Sequence, residues 1–433
     1  MAEVHGNIFT LWLGHTPAIV LHGFQAVKAS LTTHSEEFSG RLETPVFKQL
    51  ANRKNKLLPA GEWGGGRYFF MLCLSHLGLV QKPAGLGHVW GEKQCEGLGW
   101  APPGKWKSLD PSVPIFHAVS NVICAVVSGH RFLEDETFHQ LTEAFDCIMA
   151  FGNSFHFFLF EIFPWLMRHL PGPQQKARSC CEFVRPFIRK EIRSHKERGI
   201  PDEPQDFIDF YLAQIAKAKD DPTSTYDEDN MEQCIFDLFL AGTETTISTM
   251  RWALLYMVAY PNIQEKVQKE MDTLLGPSQL ICYEDRKKLP YTNAVIHEIQ
   301  RYCSIVLIAI PRESGKDTTL QGFLDPKGTI ILPNLDSVLF DPEKWESPRQ
   351  FNPSRFLDKE GNFVNREGFL PFSIGPRVCF GEQLARSKLF IIFTNLLRAF
   401  KFTLPKGVKE ISTKLVLGST VQPQPYKLRA VPR

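Results

Sequence analysis

Phe372-Ser373-Ile374-Gly375-Pro376-Arg377-Val378-Cys379-Phe380-Gly381 is the stretch on which the fold of this chain turns, and a helical pattern follows it directly, from about Gly381 to Phe400. A cysteine just ahead of a helix N-terminus sits at the positive end of the dipole, among amides with no helical partner. Both lower a thiol's pKa and favour the thiolate. Glycines on either side, Gly375 and Gly381, let the backbone turn tightly and approach a large flat ligand. Arg377, two residues before the cysteine, is a cation suited to a carboxylate. A lone cysteine before a helix is ordinarily structural, whereas the full spacing F-x-x-G-x-R-x-C-x-G is far more specific.

Upstream, the longest helical pattern runs from Asp227 to Ala259, with acidic residues in its first turn and Pro261 just beyond its end. It is apolar almost all round, which predicts a helix through the middle of a large core. In its centre lies Ala241-Gly242-Thr243-Glu244-Thr245-Thr246. Gly242 admits a close neighbour, and the threonines can divert hydrogen bonds from the helix and open a local groove. The bland alternative is a crossing of small residues with hydroxyls bonded to the preceding turn. A further helix begins after Pro290 and ends near Tyr302. On it Glu298 and Arg301 share a face at i,i+3, and a surface ion pair of that kind contributes little. His297-Glu298 does not complete H-E-x-x-H, since position 301 is arginine.

The opening alternates in strand fashion around Gly14-His15-Thr16-Pro17 and predicts a β-hairpin, and Thr318 to Leu332 is strand-like around Asp325-Pro326-Lys327-Gly328. Helical patterns dominate from Ser112 onward. Residues 61–104 break the texture, with 11 glycines in 44 residues and little periodicity. There is no internal repeat and no low-complexity linker. The expectation is therefore one helix-rich domain spanning 1–433, mainly α with small β-sheets.

Of 433 residues, 43% are hydrophobic and 34 are phenylalanine, which excludes a disordered tail, a collagen-like repeat and a coiled coil. With 49 basic against 47 acidic side chains, charge gives no reason to expect a nucleic-acid partner. The ten cysteines include no C-x-x-C pair, so structural zinc is not indicated. No stretch offers about 18 uninterrupted apolar residues, the minimum for a spanning helix, and the N-terminus lacks the pattern of a cleaved signal peptide.

The Phe372 to Gly381 segment resembles the haem-binding signature of the cytochromes P-450, closest to the vertebrate microsomal family-two type and its J subfamily. The resemblance implies the P-450 fold and haem b, with Cys379 as the axial thiolate on iron. That ligand pushes electron density toward the metal and favours O–O cleavage. It further implies that Ala241 to Thr246 is the oxygen-activation motif, with Glu244 and Thr245 relaying protons. By the same resemblance Phe372, Gly381 and Ala241 line the haem, and Trp63, Arg67, Arg312 and Arg377 hold its propionates. Glu298 and Arg301 become a buried structural pair joined by Arg355.

The implied activity is a monooxygenase: one atom of dioxygen enters an apolar substrate and the other becomes water. Polyunsaturated fatty acids such as arachidonate, steroids and xenobiotics are the substrates of this type. Electrons come from a flavoprotein, NADPH-cytochrome reductase, with cytochrome b5 as a second partner. Arg386 and Lys388 are placed near the thiolate to meet an acidic redox partner. The phenylalanines between Phe151 and Phe163 are core, or line the substrate's entrance. Basic residues Arg185, Arg189, Lys190, Arg193, Lys196 and Arg198 read as a solvated helix face.

Two departures stand against the resemblance. The family's N-terminal anchor and proline-rich hinge are missing, so the endoplasmic reticulum location, facing the cytosol, becomes one of peripheral contact or of the cytoplasm. Residues 61–106 are atypical, and Gly64, Gly65 and Gly66 each cost about 1 kcal/mol of helix propensity between Trp63 and Arg67. The alternative is thus a catalytically impaired relative that binds haem poorly. An isomerase needing no reductase is opposed by the Glu244-Thr245 pair.

Overall fold

Apolar residues recurring at helical spacing make this chain a layered set of helices, and the computed structural model describes it over residues 2–13, 16–42, 45–46, 108–130, 136–222, 224, 226–276, 279–320 and 322–433. The opening hairpin is β1 (Ile8–Leu13) and β2 (Thr16–Leu21), followed by α1 (Gly23–Thr32) and a two-residue strand β3 (Gly40–Arg41). The atypical residues 61–106, with Trp63 and Arg67, lie outside the described residues. Helices α2 (Ser112–Ser128), α3 (Glu136–Gly152), α4 (Phe155–Ile162), α5 (Pro173–Arg198) and α6 (Phe207–Lys217) come next. They lead into the long α7 (Glu228–Ala259), then α8 (Pro261–Leu274) and α9 (Pro290–Cys303).

Short strands β4 (Arg312–Glu313), β5 (Thr318–Leu320), β6 (Phe323–Asp325) and β7 (Ile330–Pro333) follow. The expected strand-like segment is thus a small β5/β6 hairpin and a separate β7. After a long irregular passage come α10 (Glu382–Ala399), β8 (Phe400–Thr403), β9 (Leu415–Val416), β10 (Gln422–Pro423) and β11 (Arg429–Pro432). The main sheet has the order β1-β2-β7-β4-β3, with β2 and β7 parallel and Arg41 of β3 opposite Arg312 of β4.

Helix α7 runs through the interior as its pattern predicted. Asp227 caps it by accepting from the Asn230 amide, and Glu228 and Asp229 complement the dipole. Met250, Leu254 and Met257 pack in one apolar cluster with Val119 and Val122 of α2, Val295 and Ile299 of α9, and Phe390 and Phe393 of α10. A second cluster joins α3, α5 and the first half of α7, where Phe145 stacks on Phe239 with centroids 5.2 Å apart. The many phenylalanines serve this packing, since aromatic pairs add to burial when offset or edge-on.

Glu298 and Arg301 are completely buried, not a surface pair. Arg301 grips the carboxylate through Nε at 2.7 Å and Nη2 at 2.9 Å, and Arg355 Nε adds a third bond at 3.1 Å. Glu298 also accepts from the Asn352 amide, while Arg301 donates to the Leu339 carbonyl. The α9 start is fixed from α8, where the Glu270 carboxylate accepts from the Tyr291 and Thr292 amides.

Glu298→Ala leaves Arg301 buried without a counter-charge and should lower stability by about 3–5 kcal/mol, enough to leave little folded protein. The double variant Glu298→Met/Arg301→Leu should be less destabilised. Urea denaturation of the two separates the cost of a lone buried charge from that of replacing the whole pair.

Candidate functional site

The Phe372 to Gly381 loop is shaped by its backbone. The Cys379 amide donates to the Phe372 carbonyl at 3.0 Å and the Val378 amide to Gly375 at 3.0 Å. Gly375 has φ +84°, and a Cβ there would lie 2.0 Å from the Leu31 carbonyl of α1, so no side chain fits. Cys379 is exposed and outside any disulfide, three residues before α10. Gly381, at the α10 cap position, supplies no side-chain cap, and a Cβ on it would stand 3.9 Å from the Cys379 sulfur. Phe380 packs against the cluster holding Phe236, Phe239 and Leu240, which ties the loop to α7 just before Ala241.

Three arginines gather beside this loop. Arg377 donates from Nε to the Ser39 carbonyl at 2.8 Å, Arg312 from Nη1 to Phe38 at 3.4 Å, and Arg41 from Nη1 to Ile310 at 3.3 Å. Burial pushes the Arg312 guanidinium down to about 9, with the charges of Arg41 and Arg377 adding to it. Arg41 is pushed to about 10 by burial and then by Arg377, and burial also lowers Arg377. Arg312 Nε is buried with no hydrogen-bond partner. Buried cations that repel one another need an anion, and a ligand bearing two carboxylates meets that need. Sequence reading named Arg312 and Arg377 but missed Arg41, whose place follows from the pairing of β3 with β4.

Ala241 is exposed in the middle of α7, where Leu238 and Phe239 before it and Thr243 and Glu244 after it are buried. Thr245 Oγ1 donates to the Ala241 carbonyl at 2.7 Å and Thr246 Oγ1 to Gly242 at 3.1 Å, the bonding to the preceding turn that a crossing of small residues also predicts. Gly242 admits a protein side chain: a Cβ there would meet Ile123 Cδ1 of α2 at 2.6 Å. Glu244 is buried, and its Oε1 accepts from Thr420 Oγ1 at 2.9 Å, Asn153 Nδ2 at 3.2 Å, Ser248 Oγ at 3.3 Å and Gln422 Nε2 at 2.5 Å. The Asn153 carbonyl oxygen in turn accepts from Ser419 Oγ and the Thr420 amide. One carboxylate therefore joins the end of α3, the middle of α7 and the C-terminal β9/β10 region, which nothing local in the sequence signals.

Three expectations are corrected here. Lys388 does not face a redox partner: it is buried, because position 388 falls on the face of α10 that packs on α7. Arg386 is mostly buried too, bridging Glu382 at 2.9 Å and donating to His297 Nε2 at 2.8 Å. His297 is held neutral, its pKa pushed to about 3 by burial and then by the Arg386 charge.

The basic helix is not a simple solvated face. Arg185, itself buried, and Arg189 both grip the buried Glu232 of α7, and Arg198 pairs with Asp209. Of the Phe151 to Phe163 segment, Phe151 and Phe160 are core, whereas Phe155, Phe158 and Phe163 are exposed. His195, Asp206 and Asp209 form a buried group of metal-ligand type. Its own cations fill it: both His195 nitrogens face acceptors, Glu191 O and Asp206 Oδ2, and so both donate.

Gly375→Ala forces a positive φ on a side chain and drives a methyl into the Leu31 carbonyl. A cost of at least about 2 kcal/mol is expected, concentrated in the loop that presents Cys379. The variant should purify with a clearly lower haem-to-protein ratio than the parent chain.

The family model for cytochrome P450 matches residues 1–430. Human cytochrome P450 2J2 is 40% identical over 432 residues, covering 99% of this chain and 85% of the relative. Mouse cytochrome P450 2J5 is also 40% identical, over 99% of this chain and 85% of its own. Rabbit cytochrome P450 2B4 is 35% identical over the whole of this chain and 88% of the relative. The exposed cysteine at a helix start, the gathered arginines and the exposed Ala241 of α7 fit haem b on a cysteine thiolate. The chain belongs to the cytochrome P450 family, the haem-dependent monooxygenases.

Proposed function

We propose that this protein inserts one oxygen atom into apolar substrates of the fatty-acid, steroid and xenobiotic type, polyunsaturated fatty acids such as arachidonate among them. NADPH-cytochrome reductase supplies the electrons, with cytochrome b5 as a second donor. The observation that carries the reading is the exposure of Ala241 in the middle of α7, one turn before the hydroxyls of Thr245 and Thr246, on the helix against which α10 and the Cys379 loop pack.

When bound, the haem supplies the activation of dioxygen, and a thiolate ligand favours O–O cleavage. The protein's own residues do the rest. Cys379 provides the thiolate, set at the N-terminus of α10. Arg41, Arg312 and Arg377 hold the propionates and orient the ring. Thr245 holds a proton on Oγ1, parked on the Ala241 carbonyl, from which a rotation of χ1 delivers it toward the open side of the helix. Glu244, reached by the hydroxyls of Ser248 and Thr420, is the carboxyl end of the proton path.

The proposed location is the cytosolic face of the endoplasmic reticulum membrane, with peripheral contact. Among the described residues no helix is long and apolar enough to cross a membrane. The contact surface is an exposed apolar set on and after α4: Phe155, Phe158, Ile162, Phe163 and Trp165, the last 65% exposed.

A reduced CO-difference spectrum of the purified protein tests the activity. A strongly red-shifted Soret band is expected, lost in Cys379→Ala; its absence from the parent chain would return the protein to the impaired-relative alternative. Thr245→Ala should keep the band yet divert reducing equivalents to peroxide, and normal coupling in that variant refutes the proton role of Thr245. For location, the protein should stay in the membrane pellet at high salt, whereas Phe155→Ser/Trp165→Ser should move into the supernatant.

A further inference from the structure

The lysine that sequence placed beside a redox partner does something else. The Lys388 side chain is 2% exposed, and its Nζ donates to the Gly242 carbonyl of α7 at 2.6 Å. Among the described residues no carboxylate lies within ion-pairing distance of it, and burial alone pushes the ammonium down to about 7. A buried cation without a counter-charge lowers stability, so nothing in the packing of α10 on α7 calls for it. A residue that works against stability points to a functional constraint.

What the ammonium grips narrows that constraint. The Gly242 carbonyl also accepts from Thr246 Oγ1, and the preceding carbonyl, Ala241, accepts from Thr245 Oγ1. Two successive carbonyls of α7 are thus claimed by side-chain donors in the turn that begins at exposed Ala241. Gly242 has no room for a side chain, since a Cβ on it would meet Ile123 Cδ1 at 2.6 Å, with Lys388 Nζ in ordinary contact at 3.8 Å. A donor that draws a carbonyl away from the helix axis weakens the i to i+4 bond beneath it and bends the helix locally.

We infer that Lys388 is a positioning residue for oxygen handling: by binding the Gly242 carbonyl it competes with that carbonyl's own helical bond and lets the Ala241 to Thr246 turn open, keeping the Thr245 hydroxyl placed to deliver its proton. This rests on the proposed role of Thr245. The hydrogen bond needs only an N–H, so it is made by ammonium and amine alike.

Lys388→Met, in the haem-loaded protein, keeps length and apolar stem while removing the donor. It should retain the CO band and unfold at a temperature no lower than the parent. The amides of Thr245 and Thr246 should exchange hydrogen at least threefold more slowly as the helix closes, and the fraction of reducing equivalents lost as peroxide should rise at least threefold. Unchanged exchange at these amides overturns the inference, as does unchanged peroxide loss. A Met variant that fails to fold overturns it too, because the lysine would then be holding the core. Lys388→Gln, which keeps a donor, should move exchange and coupling back toward the parent, and a Gln variant identical to Met removes the hydrogen bond as the cause. Loss of the Thr245 role shows separately, as normal coupling in Thr245→Ala with slowed exchange still present in Lys388→Met.

Discussion

The buried carboxylate of Glu298, shared between Arg301 and Arg355, sets the conditions for everything that follows it in the chain. Between β7 and α10 regular structure is sparse, so backbone groups there cannot satisfy one another in ladders. The two arginines take their place. Arg301 donates to the carbonyls of Leu339 and Gln350, and Arg355 to those of Glu346, Ser347 and Gln350. Trp345, Phe356, Phe363 and Phe369 close over this frame, with the His297 ring against the last three. His297 accepts from Arg386 on α10. A continuous line of hydrogen bonds and rings thus runs from α9 to the helix that Cys379 precedes, and the thiolate loop inherits its position from a charge cluster with no chemistry of its own.

How much of this was legible in the sequence depended on whether the information was local. Cys379 before its helix, the capped and apolar α7, and Glu298 with Arg301 one turn apart are patterns within a few residues, and each was found. Arg41 belongs to the anion site only because β3 pairs with β4, a pairing across 271 positions that no spacing reveals. Lys388 and Arg185 were misplaced for a different reason. Long basic side chains are mostly exposed, and that rule outweighed the helical period, which put both on inward faces. Glu244 was recognised as a carboxylate of interest, but its four donors come from three parts of the chain.

The gathered arginines also bear on stability. Burial weakens the hold of Arg41, Arg312 and Arg377 on their protons, with neighbouring charge adding to it at Arg312 and Arg41, and an anionic group bound between them offsets both. Anything that binds the folded chain alone stabilises it by mass action. On the proposed roles of these three side chains and of Cys379, folding and cofactor loading would be linked through them.

The network on Glu244 has a consequence for how this protein diverges from its relatives. Asn153, Thr420 and Gln422 reach one oxygen atom from opposite ends of the chain, and Gly418 leaves no room for a Cβ beside Asn153. Each of these positions is acceptable only in the presence of the others. Grafting the C-terminal hairpin of a relative onto this chain, or its α3, imports half of a matched set, so exchanging both segments together should cost less than exchanging either alone.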